Sequence, residues 1–569
     1  MAKYFITGIS GFIGLELCRL LKQGGHEVVG LIHRNTPPEL TSLDVTLITA
    51  DLNQSEKYQD ALNECDFVVH LAGNPKFGNG PEYEAQNVDT TRSLLDAAKK
   101  SLGKLKRFIF ISTIGAIDRS AGDNCSEPLN ENSHAFSCSD YGKSKLKAEK
   151  LVQEAGIPYT IIRPTLVIGN KMRYASHAAV FSRAALSKSL FARINWPGKI
   201  SIIHVSDLAN SIIFSSQHAE TENNTYFAAG DEVAIGKIMQ QANPALFQID
   251  ISVFIKVLSL FTRFIPFSLK ALLYPALTAS DKKLKDLGWT CNYSNAEGIA
   301  EVVTREDARK NVTKSPGGWT LVTGAASGLG MELALKLKAL GRKLILIDID
   351  KEKLEAVCAD QPDVIRLQCD LSDWQATEST LVKELDGDIA NNILETYLCA
   401  GFGLRGEISK LEAQAQADII RVNLLSRLQL ATKFIPAMVN HQFGRIIYIS
   451  SSSAYQPLPY MGVYAASNAA VLSLGESLAY ENSDNGIEVL TVCPGGMATN
   501  FQKSAGVKEL GGEKLMTPSE AADIILNNVG KNKQVIMPGF RSFAMSLAAR
   551  GLPRKISLKL WGKLMSVAR

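Results

Sequence analysis

The 569-residue chain has no run of eighteen uncharged apolar residues, so no membrane-spanning helix is expected. It has no C-x-x-C pair among its nine Cys, which argues against a zinc ribbon, a redox pair or a disulfide scaffold. The scattered thiols read as reduced and structural, in a cytoplasmic setting. Cys125 and Cys138 share a loop-like stretch and could in principle be bridged, but reduced thiols are the expectation. There is no low-complexity tract. The net charge is only +4, too small for a dedicated nucleic-acid binder. The opening "MAKYFITG" runs directly into an apolar strand and a glycine turn, leaving no place for a signal peptide. No metal site is expected.

What is present is a duplication. Residues 4–14, "YFITGISGFIG", and 319–330, "WTLVTGAASGLG", each join a short apolar run to Thr-Gly, further glycines and an amphipathic helix pattern. A second strand follows each, "HEVVGLIH" (26–33) and "KLILIDID" (343–350). Strand–helix–strand order implies a parallel sheet. The fold class is therefore α/β, with two tandem Rossmann-type, doubly wound domains. Gly8, Gly11 and Gly14 take the turn, the close approach to a pyrophosphate and the helix–strand contact; Gly324, Gly328 and Gly330 do so in the second copy. The expected boundaries are a first domain at 1–303, a polar linker at 304–318 ending Ser-Pro-Gly-Gly, and a second domain at 319–569. The substrate part of the first domain is expected at about 165–303.

In the first half, Asp51 follows a strand where it would meet an adenine ring. Ser112 and Thr113 end the buried strand "RFIFIST". Tyr141 and Lys145, in "YGKSK", are i and i+4 on one helix face. A free phenol has a pKa of about 10 and is a poor base; an adjacent ammonium lowers it by roughly one to three units. The phenol then exchanges a proton with a carbonyl or alcohol oxygen that Thr113 holds. The competing reading is a solvated helix face carrying Lys143, Lys145, Lys147 and Lys150. His33 and Arg34 end the second strand and suit a 2′-phosphate, so NADP(H) is expected here.

Residues 1–303 resemble the extended branch of the short-chain dehydrogenase/reductase superfamily, the epimerase and 3β-hydroxysteroid dehydrogenase type. The resemblance rests on "TGISGFIG", "DL" (51–52), "HLAG", "ST" (112–113), "YGKSK", "RPTLVIG" (163–169), "IHVSDLA" (203–209) and "LGW" (287–289), in order. It implies Thr113, Tyr141 and Lys145 as the catalytic set. Residues 319–569 resemble the single-domain branch through "TGAASGLG", "CDL" (369–371, with Asp370), "CAG", "VN", "GRIIYISSSSAY", "YAASN" and "PGGMAT". That resemblance implies Ser451 and Tyr464 as catalytic, Asn423 beside a proton-relay water, and Thr499 on the nicotinamide amide. Asp348 ends the second strand and suits NAD(H). Asn468, however, stands where the family has lysine. No Lys or Arg lies between Arg445 and Lys503, and Arg421 is the more distant candidate to replace the charge.

Two segments are apolar and basic. Residues 251–280 contain no acid and fit a membrane-surface helix, the wall of a site for an apolar substrate, or a buried domain helix with snorkelling lysines. Residues 541–569 carry seven bases and no acid, with Leu558, Trp561, Leu564 and Met565 near one face; they suit an anionic membrane or packing on the other half. The leading expectation is an NAD(P)-dependent oxidoreductase of an apolar carbonyl or alcohol, cytoplasmic or peripheral on the inner face of a membrane. It is expected to have no nucleic-acid partner and to be able to form a homodimer. Its first half is the competent catalyst and its second an impaired NAD-binding domain. The alternatives are a two-step fatty acyl thioester reductase, a nucleotide-sugar epimerase, and a non-catalytic, dinucleotide-gated interaction protein.

Overall fold

The computed structural model describes residues 1–33, 40, 42–74, 80–101, 103–117, 127–172, 176–251, 271–310, 317–359, 361–499, 501, 505, 515–539 and 553–567. The chain divides into two compact units, Met1–Glu306 and Asp307–Arg569. Helix Asn295–Lys310 takes up the first seven residues of the stretch expected as linker. Residues 311–316 lie outside the described residues.

The first unit is built on seven parallel strands: β1 (Lys3–Thr7), β2 (Glu27–Ile32), β3 (Thr46–Thr49), β4 (Phe67–His70), β5 (Arg107–Ile111), β6 (Tyr159–Pro164) and β7 (Asn224–Ala228). Their order across the sheet is β7-β6-β5-β4-β1-β2-β3. Both faces are covered, so the strands read as apolar runs rather than alternating ones. On β1 the alternation survives only as a choice of core. Tyr4 and Ile6 enter one apolar cluster, and Phe5 enters the cluster on the opposite face. Helix α1 (Phe12–Gln23) buries Gly14, Leu17, Cys18 and Leu21, the spacing of one helical stripe. Beyond β6 lies the expected substrate part. There Lys199–His204 sits between Leu166–Ile168, which is parallel to it, and Glu232–Ala234, which is antiparallel.

The second unit repeats the plan with β8 (Trp319–Thr323), β9 (Lys343–Asp348), β10 (Val364–Gln368), β11 (Ile393–Leu398), β12 (Gly444–Ile449), β13 (Ile487–Val492) and β14 (Val535–Ile536), in the order β10-β9-β8-β11-β12-β13-β14. A buried ion cluster crosses three of its strands. Glu395 on β11 accepts from Arg342 Nε at 2.9 Å and Thr320 Oγ1 at 3.0 Å, and also from Arg445 Nη1 on β12. In each sheet the order reverses beside the first strand, at β1/β4 and at β8/β11. A ligand is expected at the carboxyl ends of those strands. Among the described residues, no helix is long and apolar enough to cross a membrane.

Candidate functional site

The glycine turns fit a dinucleotide in both units. Gly8 (φ +71°) and Gly324 (φ +67°) occupy the left-handed region. A Cβ on Gly8 would lie 2.8 Å from the Ala72 nitrogen, and one on Gly324 3.0 Å from the Ala400 nitrogen. A Cβ on Gly14 or Gly330 would meet the carbonyl oxygen of Gly8 or Gly324 at 2.3 or 2.1 Å. Gly11 donates its N–H to Gly8 O at 3.0 Å. The helices that follow, α1 and α2 (Gly328–Ala339), begin at Gly11 and Ser327 with no side-chain cap. Their first N–H groups are thus left for an anion, as a pyrophosphate cradle requires. Thr499 stands over the second turn, its Cγ2 3.5 Å from where a Gly328 Cβ would be.

The acidic residues at the strand ends are partly occupied. Asp348 accepts Ala326 N–H at 2.9 Å and Asp350 N–H at 3.0 Å, fixing the glycine turn against β9. Asp370 caps its own turn through Ser372 N–H at 2.9 Å. Asp51 accepts Asn53 N–H at 2.9 Å and faces His33 Nε2 at 3.3 Å. His33, expected to favour a phosphate, therefore has a carboxylate beside it. Arg34 lies outside the described residues, as do 252–270 of the apolar segment 251–280 and Cys125 of the suggested bridge.

In the first unit, helix α3 (Asp140–Glu154) carries Tyr141 and Lys145. Its lysines do not share one environment. Lys143 pairs with Asp140 at 3.5 Å and Lys147 with Glu84 at 2.8 Å, both exposed, whereas Lys145 is 5% exposed. Its Nζ sits 4.3 Å from the Phe110 ring centroid, and a Cβ on Gly73, in the turn after β4, would be 3.9 Å away. Burial pulls this ammonium down to about 8, with Glu149 acting in the opposite direction. Tyr141 is half-buried, 5.7 Å between ring centroids from Tyr83. Thr113 caps the turn after β5 by accepting Gly115 N–H at 3.2 Å, so its hydroxyl proton remains able to donate. Gly142 sets how closely α3 approaches that turn, since a Cβ there would fall 1.9 Å from Gly115 O.

The same frame recurs in the second unit, and it rests in part on residues whose role the sequence does not announce. Asn87, in the π-helical turn Glu84–Asp89, accepts Asn74 N–H at 2.7 Å and donates to Ser144 Oγ at 2.9 Å; Ser144 Oγ donates to Tyr141 O at 2.7 Å. Asn423, in the π-helical turn Arg421–Leu425, accepts Phe402 N–H at 3.0 Å and donates to Ser467 Oγ at 3.3 Å; Ser467 Oγ donates to Tyr464 O at 2.9 Å. Each asparagine thus ties the small-residue turn to the tyrosine helix, α3 in one unit and α4 (Gly462–Glu481) in the other. The one legible signal for Asn87 is a polar side chain in an amphipathic helix pattern. Asn423 also donates to Phe402 O at 2.9 Å, so its amide is engaged on the turn itself.

Asn468 is 3% exposed and donates to Tyr464 O at 2.9 Å, within its own helix. Ser451 accepts Ser453 N–H at 3.1 Å and caps the turn after β12. Burial raises the Tyr464 phenol; Ser451, Arg427 and Asn468 act against the rise. Arg421, the distant candidate to replace the lysine, instead pairs with Asp418 at 2.7 Å on a partly exposed face. The terminal helix α5 (Arg554–Val567) packs on its own unit. Met565 joins Met461 and Ala505 beside Tyr464 and Phe501, and its carbonyl accepts from Arg405. Ser557 is buried on that helix while Leu558 is 47% exposed, so Leu558 and Met565 do not share a buried face.

Each unit thus places a glycine turn after its first strand and a Ser- or Thr-capped turn against a tyrosine helix. The chain is an NAD(P)-dependent oxidoreductase of the short-chain dehydrogenase/reductase type, with an epimerase-type domain ahead of a short-chain dehydrogenase domain. The family model "NAD dependent epimerase/dehydratase family" matches residues 4–230, and "short chain dehydrogenase" matches 318–509. Similar proteins include hydroxysteroid dehydrogenase-like protein 1 of Gallus gallus, 28% identical over 40% of this chain and 70% of that protein. The inactive hydroxysteroid dehydrogenase-like protein 1 of Homo sapiens is 28% identical over 35% of this chain, which spans only 62% of that relative's length. Among solved structures, UDP-glucuronic acid 4-epimerase from Bacillus cereus in complex with NAD aligns with a TM-score of 0.44 at 22% identity, covering 53% of this chain and 98% of that one.

Proposed function

We propose that the first unit interconverts an apolar carbonyl and its alcohol, with NADP(H) as its dinucleotide, and that the second holds NAD(H) with weaker chemistry of its own. The observation that carries the reading is Lys145, buried between Phe110 and the Gly73 turn one helical turn from Tyr141. A bound nicotinamide supplies or accepts the hydride. In the reducing direction, Tyr141 gives its phenolic proton to the substrate oxygen while Thr113 donates a hydrogen bond to that oxygen. Lys145 stabilises the phenolate left behind. In the second unit Ser451 and Tyr464 take the same places, but Asn468 brings no charge. Each pKa unit of phenolate stabilisation lost is about 1.4 kcal/mol, or tenfold in the reactive form. The acid-poor, apolar stretch after Asp250 and the hydroxysteroid name of the relatives support an apolar substrate.

A second reading, sugar-nucleotide epimerisation by the first unit, is favoured by the family match over residues 4–230. One assay separates the two. The full chain is incubated with NADPH or NADH and panels of ketosteroid, long-chain aldehyde, long-chain acyl-CoA and UDP-sugar. Net NADPH oxidation with ketones or aldehydes is expected, and it should vanish in Tyr141→Phe. An altered sugar without net oxidation would establish the epimerase instead.

Helix α5 also supports peripheral membrane contact, since Ile556 (53% exposed) and Leu558 stand among Arg554, Lys555 and Lys559. Vesicles containing phosphatidylserine are expected to pull down the chain, and neutral vesicles to leave it in solution. Equal recovery with both would remove the electrostatic basis of this contact.

A further inference from the structure

The second unit buries a cation that its sequence motif does not announce. Arg427 lies on helix Ser426–Asn440, is 4% exposed, and donates from Nη2 to Ala400 O at 2.8 Å. Its Nε and Nη1 are buried with no hydrogen-bond partner among the described residues. Among the described residues no carboxylate pairs with it. The ionisable groups whose charge acts on it are the Cys399 thiol following β11, the Tyr464 phenol on α4 and the Tyr448 phenol on β12. Burial pulls the guanidinium down to about 10, still charged at neutral pH. A buried, unpaired charge costs several kcal/mol, so a feature of this kind at a cleft calls for a ligand or a charge that develops there.

Its position is the informative part. In the first unit, a Cβ on Gly73 would stand 2.8 Å from Asn87 Oδ1 and 3.9 Å from Lys145 Nζ. In the second, a Cβ on the matching Gly401 would stand 3.1 Å from Asn423 Oδ1 and 3.1 Å from Arg427 Nη2. The guanidinium therefore stands beside the turn and asparagine that match those beside the ammonium in the first unit. It arrives from a different helix. Arg427 is four residues after Asn423, and the residue four after Asn87 is Thr91, whose hydroxyl contacts His70 Nε2 at 2.9 Å and donates to Asn87 O at 2.6 Å. Thr91 with Lys145 in one unit corresponds to Arg427 with Asn468 in the other.

We propose that Arg427 supplies to the second site the positive charge that Lys145 supplies to the first, holding the Tyr464 phenolate, so that the charge is relocated to the neighbouring helix rather than absent. The inference rests on the reading of this unit as a dinucleotide site, and it deepens that reading. Arg427 acts through Tyr464 and is a positioning residue. A guanidinium holds its proton more firmly than an ammonium, so it stabilises the phenolate without passing a proton onward. The second site thus keeps its charge while lacking the proton relay of the first.

The test is the ionisation of Tyr464 in the cofactor-free full chain, followed by ultraviolet difference absorbance against Tyr464→Phe across alkaline pH. Arg427→Met should raise the phenol's midpoint by about one to two pH units. Arg427→Lys should leave it near the parent value, and the paired change Arg427→Thr with Asn468→Lys should restore it. Asn468→Lys alone should lower thermal stability, because it sets a second cation against the first. An unchanged midpoint in Arg427→Met overturns the proposal. If Arg427→Met does not fold, failure of the paired variant to recover the parent midpoint overturns it equally. Loss of NADH binding in the parent would defeat the dinucleotide reading alone, and the phenol titration would still decide the role of Arg427.

Discussion

Lys145→Met is expected to stop turnover by the first unit while making the folded chain more stable at neutral pH. The rate should fall by about two to four orders of magnitude, the range for a lost acid–base function, with Tyr141→Phe falling as far. Stability should rise, because burial holds this ammonium at about 8 against an unfolded value of about 10.4. The sign follows from proton counts. Between those two values the unfolded chain binds more protons at this residue than the folded chain does, so folding stability increases with pH across that window. Below pH 8 the charged lysine imposes its full cost. Methionine fills similar volume with no charge to bury and loses only the contact with Phe110. A gain on the order of 1–3 kcal/mol at pH 7, shrinking towards pH 10, should appear in urea denaturation. The parent's turnover should decline as pH rises through about 8, where the ammonium loses its proton. A variant that is both inactive and less stable at pH 7 would mean that Lys145 is a structural residue.

Glu395→Ala is expected to be the most destabilising single change in the second unit, at about 3–5 kcal/mol. It leaves Arg342 and Arg445, exposed by no more than 1%, without the carboxylate between them. Burial alone would raise Glu395, but Arg445 and Arg342 outweigh it and hold the carboxyl below its usual range. Its folded value lies below its unfolded value, so its contribution is complete above pH ~4.3 and is lost as pH falls through the folded value. The parent should lose urea resistance below pH ~4, and the variant should have less to lose there. A destabilisation under about 1 kcal/mol, with the same acid slope, would show that solvent reaches the cluster.

The parts of the site that depend on local spacing were legible in the sequence. Gly8, Gly14, Gly324 and Gly330 could be assigned because each answers to a turn a few residues long. Tyr141 and Lys145 could be paired because an α-helix fixes what lies four residues away. Ser451 and Tyr464 entered through the family resemblance alone, because thirteen positions of turn and loop separate them in sequence. Asn87 and Asn423 were not legible as supports of the tyrosine helix, because their partners lie 13 and 21 residues away across a turn. Which arginine is buried was hidden for a related reason: Arg421 pairs with Asp418 on a partly exposed face, and Arg427 is the one withdrawn from solvent. Arg421 and Arg427 are six residues apart, roughly one and two-thirds helical turns, and only packing against β11 and β12 decides which of them is buried.

Sequence by itself determined the duplication, the parallel α/β class and the tyrosine helices, since all of these follow from periodicity and short-range geometry that the backbone enforces wherever the segment sits. Tertiary structure alone decided the electrostatics: which of α3's lysines loses water, and which residue stands against the Gly401 turn in the absence of a lysine at 468. Charge acts through space and its strength depends on burial, and neither the distance nor the burial of a side chain is set until the strands have been ordered around the switch point.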